Sequence, residues 1–164
     1  MLMRLLRHAF FSDRAVSRAF PPAALERITA AVAEAEKSHS GELRFVVEAA
    51  LPPARAWRGQ SARERAIELF GELRIWDTEH NNGVLIYLLL LEHNVEIVAD
   101  RGAAARIAPG EWEDVCKAME AAFREGRFEA GVLEGLQRIS SLLAAHFPVQ
   151  GANPNELPDR PLLL

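Results

Sequence analysis

The chain has 164 residues, enough for one domain with a buried core, and 49% of them are hydrophobic, which excludes an intrinsically disordered protein. Its formal net charge of −4 argues against a nucleic-acid partner held by bulk charge. The single cysteine, Cys116, excludes an intramolecular disulfide and argues against a cysteine-based zinc site. Because Cys116 falls in an apolar helical stripe, we interpret it as a buried structural thiol.

Membrane insertion and export require recognisable segments, and the sequence shows neither kind. No run approaches the roughly 18 to 20 apolar residues that a transmembrane helix needs. The first 11 residues lack the long apolar region and the small-residue cleavage site of a signal peptide. We therefore expect no transmembrane segment and a cytoplasmic location.

Residues 1–20 form a basic, partly amphipathic leader. Four apolar residues could share one helical face: Leu2, Leu5, Leu6 and Phe10. Such a helix could bind a partner or touch a membrane surface peripherally, with residues 1–11 as the contact. We favour a short helix docked on the domain, because the segment is short and because Phe11 and Asp13 fit a membrane helix poorly.

The next elements alternate between helix and strand. Pro21-Pro22 opens a helix whose apolar residues keep helical spacing as far as Ala35. The stretch from Glu42 to Leu51 partly alternates and then turns apolar, which predicts a strand closed by two prolines. Ser61-Ala62-Arg63-Glu64 matches a capping box at the start of a second helix.

The segment from Asn81 to Gly102 predicts a turn, a fully apolar strand, a tight reversal at His93-Asn94 and a second strand. An apolar run without alternation is typical of a strand covered on both faces. A short helical piece follows, and a break at Pro109-Gly110 leads into two further amphipathic helices that Gly126 separates.

This order predicts an α/β fold, a single-domain three-layer α/β/α sandwich with a small mixed sheet. A strand, a crossover helix and a strand give parallel pairing, and the hairpin adds an antiparallel strand. We divide the chain into the leader at 1–20, the α/β domain at 21–147 and an irregular C-terminal tail at 148–164.

Several stretches carry a family likeness: Gly41–Val47, Ala66–Phe70, Asn82–Ile86, Val95–Ile97 with Arg101-Gly102, and Phe123–Gly131. In this order and spacing they resemble the TPM domain family, which includes thylakoid-lumen and photosystem II repair proteins, over about Leu25 to Leu143. The resemblance implies the same α/β/α sandwich. For some members it also implies divalent-metal (calcium) binding and a phosphatase-type activity.

The chain departs from the family pattern where a metal site would be expected. Relatives often carry an acidic residue before the Asn-Gly that opens the second strand, and this chain has Asn81 there. The glycine-rich segment after the hairpin usually leads to an acidic residue, but here it continues into Ala103-Ala104. Most relatives are also exported or membrane-anchored. These departures weaken the expectation of a metal-dependent phosphatase.

Oxygen-bearing side chains gather at the predicted ends of the hairpin strands, where open α/β sheets usually place their sites. As metal ligands we name Asp77 and Asp100, because calcium and magnesium prefer oxygen donors. For these two aspartates, a role in a local turn is as well supported as a role as metal ligands. The candidate ligand-binding residues are Asn81, Asn82, Asp100, Arg101 and Gly102.

Each candidate also has a structural interpretation. For Asn81 and Asn82 we favour a turn over a ligand role, since asparagine tolerates positive φ. Arg101 could grip an anion with its guanidinium, or it could pair with Asp100 or Glu96. Gly102 would allow a backbone turn into the next helix.

No catalytic motif is present, so no catalytic residue is assigned. The sequence has no nucleophile elbow, no glycine-rich phosphate loop and no histidine pair at metal-ligand spacing. We expect the five histidines to be solvated loop or terminal residues. We also expect Trp57 and Trp76 to be core aromatics rather than a ligand lid.

The leading functional hypothesis is a TPM-like binding module for a partner protein or a small anion at the strand ends. The alternative is a metal-dependent phosphatase in which Asp77 and Asp100 hold a divalent cation and Arg101 holds the phosphate. Whether the protein is an enzyme is left open at this point, and so is its cofactor, for which calcium and magnesium are the candidates.

Overall fold

The computed structural model describes residues 2–12 and 14–164. Its helices are α1 (Leu2–Phe10), α2 (Arg14–Ala19), α3 (Pro22–Ala35), α4 (Pro53–Trp57), α5 (Ala62–Glu72), α6 (Arg101–Arg106), α7 (Pro109–Arg124) and α8 (Phe128–His146). Its strands are β1 (Glu42–Glu48), β2 (Gly83–Leu89), β3 (Asn94–Ala99) and β4 (Leu162–Leu163). Within those residues, none of the helices has both the length and the apolar character needed to span a bilayer.

These strands form one mixed sheet in the order β3–β2–β1–β4. β1 and β2 run parallel, from Glu42 opposite Gly83 to Glu48 opposite Leu89, and α4 and α5 lie in the connection between them. β3 returns antiparallel to β2, whereas β4 adds parallel to the other side of β1. The parallel crossover and the antiparallel hairpin predicted from the sequence are therefore confirmed.

Helices cover both faces of the sheet, which explains the unbroken apolar run in β2. All seven residues of that strand are buried. Val84, Ile86 and Leu88 belong to a core cluster shared with α3, α7 and α8. Leu85 and Tyr87 belong to a second cluster on the opposite face, shared with α5. The three-layer α/β/α sandwich is therefore confirmed.

Two local patterns decide where a helix begins and where the chain reverses. Ser61 Oγ accepts a hydrogen bond from Glu64 N at 3.1 Å, and Glu64 Oε2 accepts one from Ser61 N at 2.8 Å, so the capping box is confirmed. After β2 a single 3-10 turn, Leu90–Glu92, leads to His93, which adopts a left-handed conformation with φ 49°. This residue produces the predicted tight reversal into β3.

The leader and the tail both pack on the domain. Leu5 of α1 packs against the second core cluster, and Val16 of α2 lies in the first. Met1, Asp13 and the side chain of Leu2 lie outside the described residues. The tail ends in β4, which the sequence did not indicate, because a strand of two residues has no periodicity to recognise.

β3 lies at one edge of the sheet, and charged side chains occupy its outward backbone groups. Glu120 Oε1 accepts a hydrogen bond from Val95 N at 3.1 Å. Arg63 Nη1 donates to the Ile97 carbonyl at 2.5 Å. Side chains that take these positions discourage another strand from pairing there.

Candidate functional site

The candidate residues at the start of β2 and the end of β3 come together in the structure. Because β3 runs antiparallel to β2, its end lies beside the beginning of β2. Asp100 N donates a hydrogen bond to Gly83 O, and Gly102 N donates one to Asn81 O, each at 2.8 Å. We name this region the amino edge, since the parallel strands β1 and β2 both begin there.

Three of these candidates have structural roles, which they perform through backbone and side-chain amide contacts. The fully buried Asn82 donates from Nδ2 to Ser40 O at 2.8 Å and from its backbone N to Thr78 Oγ1 at 3.2 Å. Asn81 adopts a left-handed conformation with φ 51°, as the turn interpretation requires. A Cβ on Gly102 would lie 2.5 Å from Asn81 O, so only glycine permits this approach. These residues build the amino edge.

The charged candidates have different surroundings. Asp77 is exposed, and its Oδ2 lies 2.7 Å from Arg74 Nη2. Asp100 caps α6, because its Oδ1 accepts a hydrogen bond from Arg101 N at 2.7 Å, whereas its Oδ2 is buried with no hydrogen-bond partner among the described residues. Arg101 is exposed, and within ranges 2–12 and 14–164 it takes part in no ion pair.

The residues at the amino edge do not fit the divalent cation that the family resemblance implies. A hard cation such as calcium takes six to eight oxygen ligands, usually including several carboxylates. Asp100 offers one free carboxylate oxygen, and Asp77 is already bonded to Arg74. In the described part of the chain, no group of three or more His, Cys, Asp or Glu side chains is placed to hold a metal ion. The pair Asp77 and Asp100 stays a prediction.

A cavity of about 370 Å³ lies next to the amino edge, and its chemistry favours an anion. Its lining combines one guanidinium, two imidazoles, a hydroxyl and amides, contributed by Arg106, His80, His146, Ser40, Gln150 and Asn153 with neighbouring apolar residues. No described carboxylate lines it. We name it the Arg106 cavity.

Two contacts position Arg106 at the end of α6. Its Nη1 donates to the His146 carbonyl at 2.8 Å, and its guanidinium lies 4.6 Å from the centre of the Phe147 ring. A cation above an aromatic face is attracted by the ring electrons. The planar guanidinium has five N–H donors, so those not used by His146 can serve an anion.

The opposite end of β1 and β2, the carboxyl edge, is filled by buried charges. Glu48 at the end of β1 accepts hydrogen bonds on Oε2 from Tyr87 Oη at 2.6 Å and from Arg65 Nε at 3.1 Å. All three residues are buried. Burial, together with the neighbouring Glu48 carboxylate, raises the pKa of Tyr87, so its hydroxyl stays a donor.

Two histidines expected to be solvated are buried instead. His8 Nδ1 accepts a hydrogen bond from Leu51 N at 3.0 Å, which leaves the proton on Nε2, 2.9 Å from Glu92 Oε1. His39 is completely buried and neither ring nitrogen has a hydrogen-bond partner among the described residues. Burial lowers the pKa of His39 to about 4, so this side chain is neutral at pH 7. The prediction was wrong for both.

The aromatic and thiol predictions have different outcomes. Trp57 and Trp76 are 59% and 47% exposed, so the core interpretation was wrong. Trp57 ends α4 just before a turn, and Trp76 lies within a turn. The neighbouring apolar residues along the chain gave no sign of this exposure. Cys116 is half-buried between α7 and β3, and burial raises the pKa of its thiol to about 12. The thiol is therefore unreactive at neutral pH.

A buried acid near the amino edge was missed by the sequence analysis. Glu36 follows α3, and its Oε1 accepts a hydrogen bond from Leu43 N at 2.8 Å. Burial raises the pKa of Glu36 to about 8, and nearby Glu42 and Asp159 add to the effect. The Glu42 carboxylate in turn accepts hydrogen bonds from Glu156 N and Leu157 N, at 3.1 and 3.0 Å. This group of acids therefore fastens the tail to β1.

Comparison with known proteins agrees with this fold. The TPM domain model matches residues 16–142. The chain belongs to the TPM domain family. Comparison with curated protein sequences gives no match. The matched residues of this TPM domain include β1, β2, β3 and Arg106, and they begin after α1.

Two solved structures are similar to this TPM domain. The NMR structure of the BA42 protein from the psychrophilic bacterium Bizionia argentinensis is 25% identical, with a TM-score of 0.76 over 94% of this chain and 96% of that one. The NMR structure of the N-terminal domain of a protein from P. gingivalis is 15% identical, with a TM-score of 0.64 over 85% and 94% of the two chains. The second likeness shows the fold alone.

Proposed function

We propose that this TPM domain is a binding module for a small oxyanion, which it holds in the Arg106 cavity beside the amino edge. The observation that carries the proposal is the fixed guanidinium of Arg106 in a cavity with no described carboxylate in its lining. A volume of about 370 Å³ falls in the range of small-molecule sites. Phosphate and carboxylate groups match the planar donor geometry of arginine.

The candidate residues chosen from the sequence support this site indirectly. Asn81 and Gly102 set the position of α6 through their close backbone contact, and α6 carries Arg106 at its other end. Asn82 fastens the connector before β2 to Ser40, which lines the cavity. We propose that Arg101, at the start of α6, adds only long-range attraction for an anion.

Thermal stability measured against phosphate concentration tests the proposal. At ten times its Kd, a ligand of the native state adds about 1.4 kcal/mol to the free energy of unfolding, which raises Tm by a few degrees. We expect this rise with inorganic phosphate but not with sodium chloride at equal ionic strength. Arg106→Gln should weaken phosphate binding about tenfold or more, because a charge-assisted hydrogen bond is lost.

Arg124→Gln is the matched control, since it removes the same charge from an exposed arginine at the far end of α7. It should bind phosphate like the wild type. An equal response of Arg106→Gln and wild type to phosphate would contradict the proposal, as would a rise of the same size in sodium chloride.

The phosphatase alternative makes a separate prediction. It requires hydrolysis of a simple phosphate ester that depends on calcium or magnesium and is lost in Asp100→Asn. Asp77 bonds to Arg74 and Asp100 caps α6, so the geometry favours binding over this chemistry. The cytoplasmic location and a protein partner likewise stay predictions.

A further inference from the structure

Helix α1 is attached to the domain through polar groups. On its inner side the buried His8 ring bridges Leu51 N and Glu92 Oε1, at 3.0 and 2.9 Å. Arg4 Nε donates to the same Glu92 oxygen at 2.8 Å, and Arg4 Nη2 donates to Gln60 O at 2.9 Å. Although burial acts in the opposite sense, the hydrogen bonds from Arg4 and His8 hold the pKa of Glu92 below its usual value. This attachment therefore stays charged at neutral pH.

The outer side of the same helix is apolar. Met3, Leu6 and Phe10 follow one another at spacings of three and four residues, and they are 76%, 45% and 82% exposed. A helix on a water-soluble surface normally turns its apolar stripe inward and its charges outward. α1 departs from this pattern, because Met3, Leu6 and Phe10 face outward although Leu5 packs against the second core cluster. We name these three side chains the α1 face.

The apolar surface continues beyond α1. Phe11, just after α1, lines a mostly apolar cavity of about 380 Å³. Leu90, Leu91, Phe128 and Arg18 line it as well. α1 also packs beside α4, whose last residue is the exposed Trp57. Tryptophan is a typical side chain of the boundary between lipid and water.

Basic charge accompanies this surface although the chain as a whole carries −4. The first 20 residues contain four arginines and one acidic residue. Arg7 is exposed beside the α1 face, and Arg14 and Arg18 are exposed on α2. Arg58, directly after Trp57, is exposed as well. Apolar side chains flanked by arginines match the surface of an anionic bilayer, where acyl chains lie below acidic headgroups.

We propose that the α1 face docks this protein peripherally on an anionic membrane surface. Charge favours a membrane over a second copy of the chain, because a second copy would present the same arginines and repel the first. The three residues of the α1 face lie outside the matched residues 16–142, whereas the flanking Arg18, Trp57 and Arg58 lie within them. The Arg106 cavity lies at the other end of the sheet.

Co-sedimentation with vesicles tests the proposal. The full chain should bind vesicles of 70% phosphatidylcholine and 30% phosphatidylserine in 50 mM salt and bind at least tenfold less to phosphatidylcholine alone. Binding should weaken in 500 mM salt, since the arginines are screened. The double variant Met3→Ser/Phe10→Ser should lose at least tenfold in partitioning, and Arg7→Gln should lose severalfold.

Ile67→Ser/Trp76→Ser is the matched control, because it removes two exposed apolar side chains from elsewhere on the surface. It should bind vesicles like the wild type, and circular dichroism should show both double variants folded. Failure of the wild type to bind the anionic vesicles would overturn the proposal, as would equal loss in both double variants. A dimer that Met3→Ser/Phe10→Ser dissolves, without vesicle binding, would also overturn it and assign the face to a second copy.

Discussion

Polar groups find different hydrogen-bond partners at the two ends of the parallel strands. At the carboxyl edge, the buried side chains of Arg65 and Tyr87 donate hydrogen bonds to Glu48. Helix α1 covers the segment after β1, where His8 accepts a hydrogen bond from Leu51 N. At the amino edge, backbone groups and the Asn82 amide make the contacts, and a cavity lined by cationic and polar groups stays open.

This difference matters because ligands of open α/β sheets usually bind at the carboxyl ends of the strands. In this TPM domain buried side chains occupy that position, and the cavity beside it, which Leu90, Leu91 and Phe128 line, is mostly apolar. The cavity at the other end is polar and contains the guanidinium of Arg106, which uses one of its donors on the His146 carbonyl. If the Arg106 cavity binds an anion as proposed, the site of this domain lies where the strand ends offer polar groups, and strand direction alone would not have placed it there.

Arg65→Met should have the largest effect, because it leaves the Glu48 carboxylate buried without its cation. Breaking a buried ion pair on one side costs about 3 to 5 kcal/mol. Urea denaturation monitored by circular dichroism would measure this loss. If the network at the carboxyl edge is instead wet and mobile, the loss would stay under about 1 kcal/mol.

Arg74→Met is the control for that measurement. Arg74 also pairs with an acid, Asp77, but both side chains are more than half exposed. Exposed ion pairs contribute only about 0 to 1 kcal/mol. A similar loss in both variants would show that burial does not distinguish the two ends of the sheet.

Two glycines test the tight packing at the amino edge. Gly102 and Gly110 both occupy the second position of a helix, in α6 and α7. A Cβ at Gly102 would overlap the Asn81 carbonyl, whereas a Cβ at Gly110 has nothing within 4 Å. Gly102→Ala should lower the free energy of unfolding by about 1 to 3 kcal/mol. Gly110→Ala should leave it unchanged or raise it by up to about 1 kcal/mol.

Thermal unfolding of the two variants would measure these changes. Equal changes in the free energy of unfolding of the two variants would mean that the amino edge accommodates a Cβ at position 102. The fold would then not require glycine there.

The smallest change per measured step is one of slope with pH, and it compares a buried acid that has a cation with one that has none. Glu48 forms an ion pair with Arg65, whereas Glu36 forms none with any cation in the described residues. Because the pKa of Glu36 is raised by burial from 4.5 to about 8, its proton stabilises the fold fully below pH 4.5, and this stability is lost as the pH rises to 8. The loss should be roughly 1 kcal/mol per pH unit.

Glu36→Gln isolates this contribution between pH 6.5 and 8. The pKa of His39 is lowered from 6.5 to about 4, so His39 supplies stability above 6.5 that is lost only as the pH falls towards 4. Denaturation at several pH values should show a flatter slope in Glu36→Gln than in the wild type. Glu34→Gln, at an exposed position of α3, should keep the wild-type slope. Parallel slopes in all three proteins would contradict the account.

Much of the fold follows from local patterns that sequence displays directly. The apolar run of β2 specified a strand covered on both faces, and Ser61 with Glu64 specified a helix start. β4 escaped notice because its pairing with β1 depends on contacts more than 100 residues apart in the chain. Long-range pairing of a two-residue strand leaves no periodic trace.

The candidate site was predictable only in part. Gly102 and the two asparagines were named from the sequence as ligand-binding candidates, and the structure brings them together because they bracket the hairpin. Their ligand role stays a prediction. Arg106 was missed because its partners, His146 and Phe147, come from the end of α8, 40 residues away. His39 was misjudged because polar flanking residues suggested a turn, and His8 because it lies near the end of the sequence, whereas burial is decided by tertiary packing.

The charged side chains along β3 also bear on how the protein behaves at high concentration. Val95–Ala99 is short, rich in β-branched residues and of the kind that can seed intermolecular sheets when its backbone is free. A strand from another molecule must first displace Glu120 and Arg63 from that backbone. We therefore expect the two side chains to oppose fibril growth. Since α7 carries Glu120, loosening of that helix would free the backbone N–H of Val95.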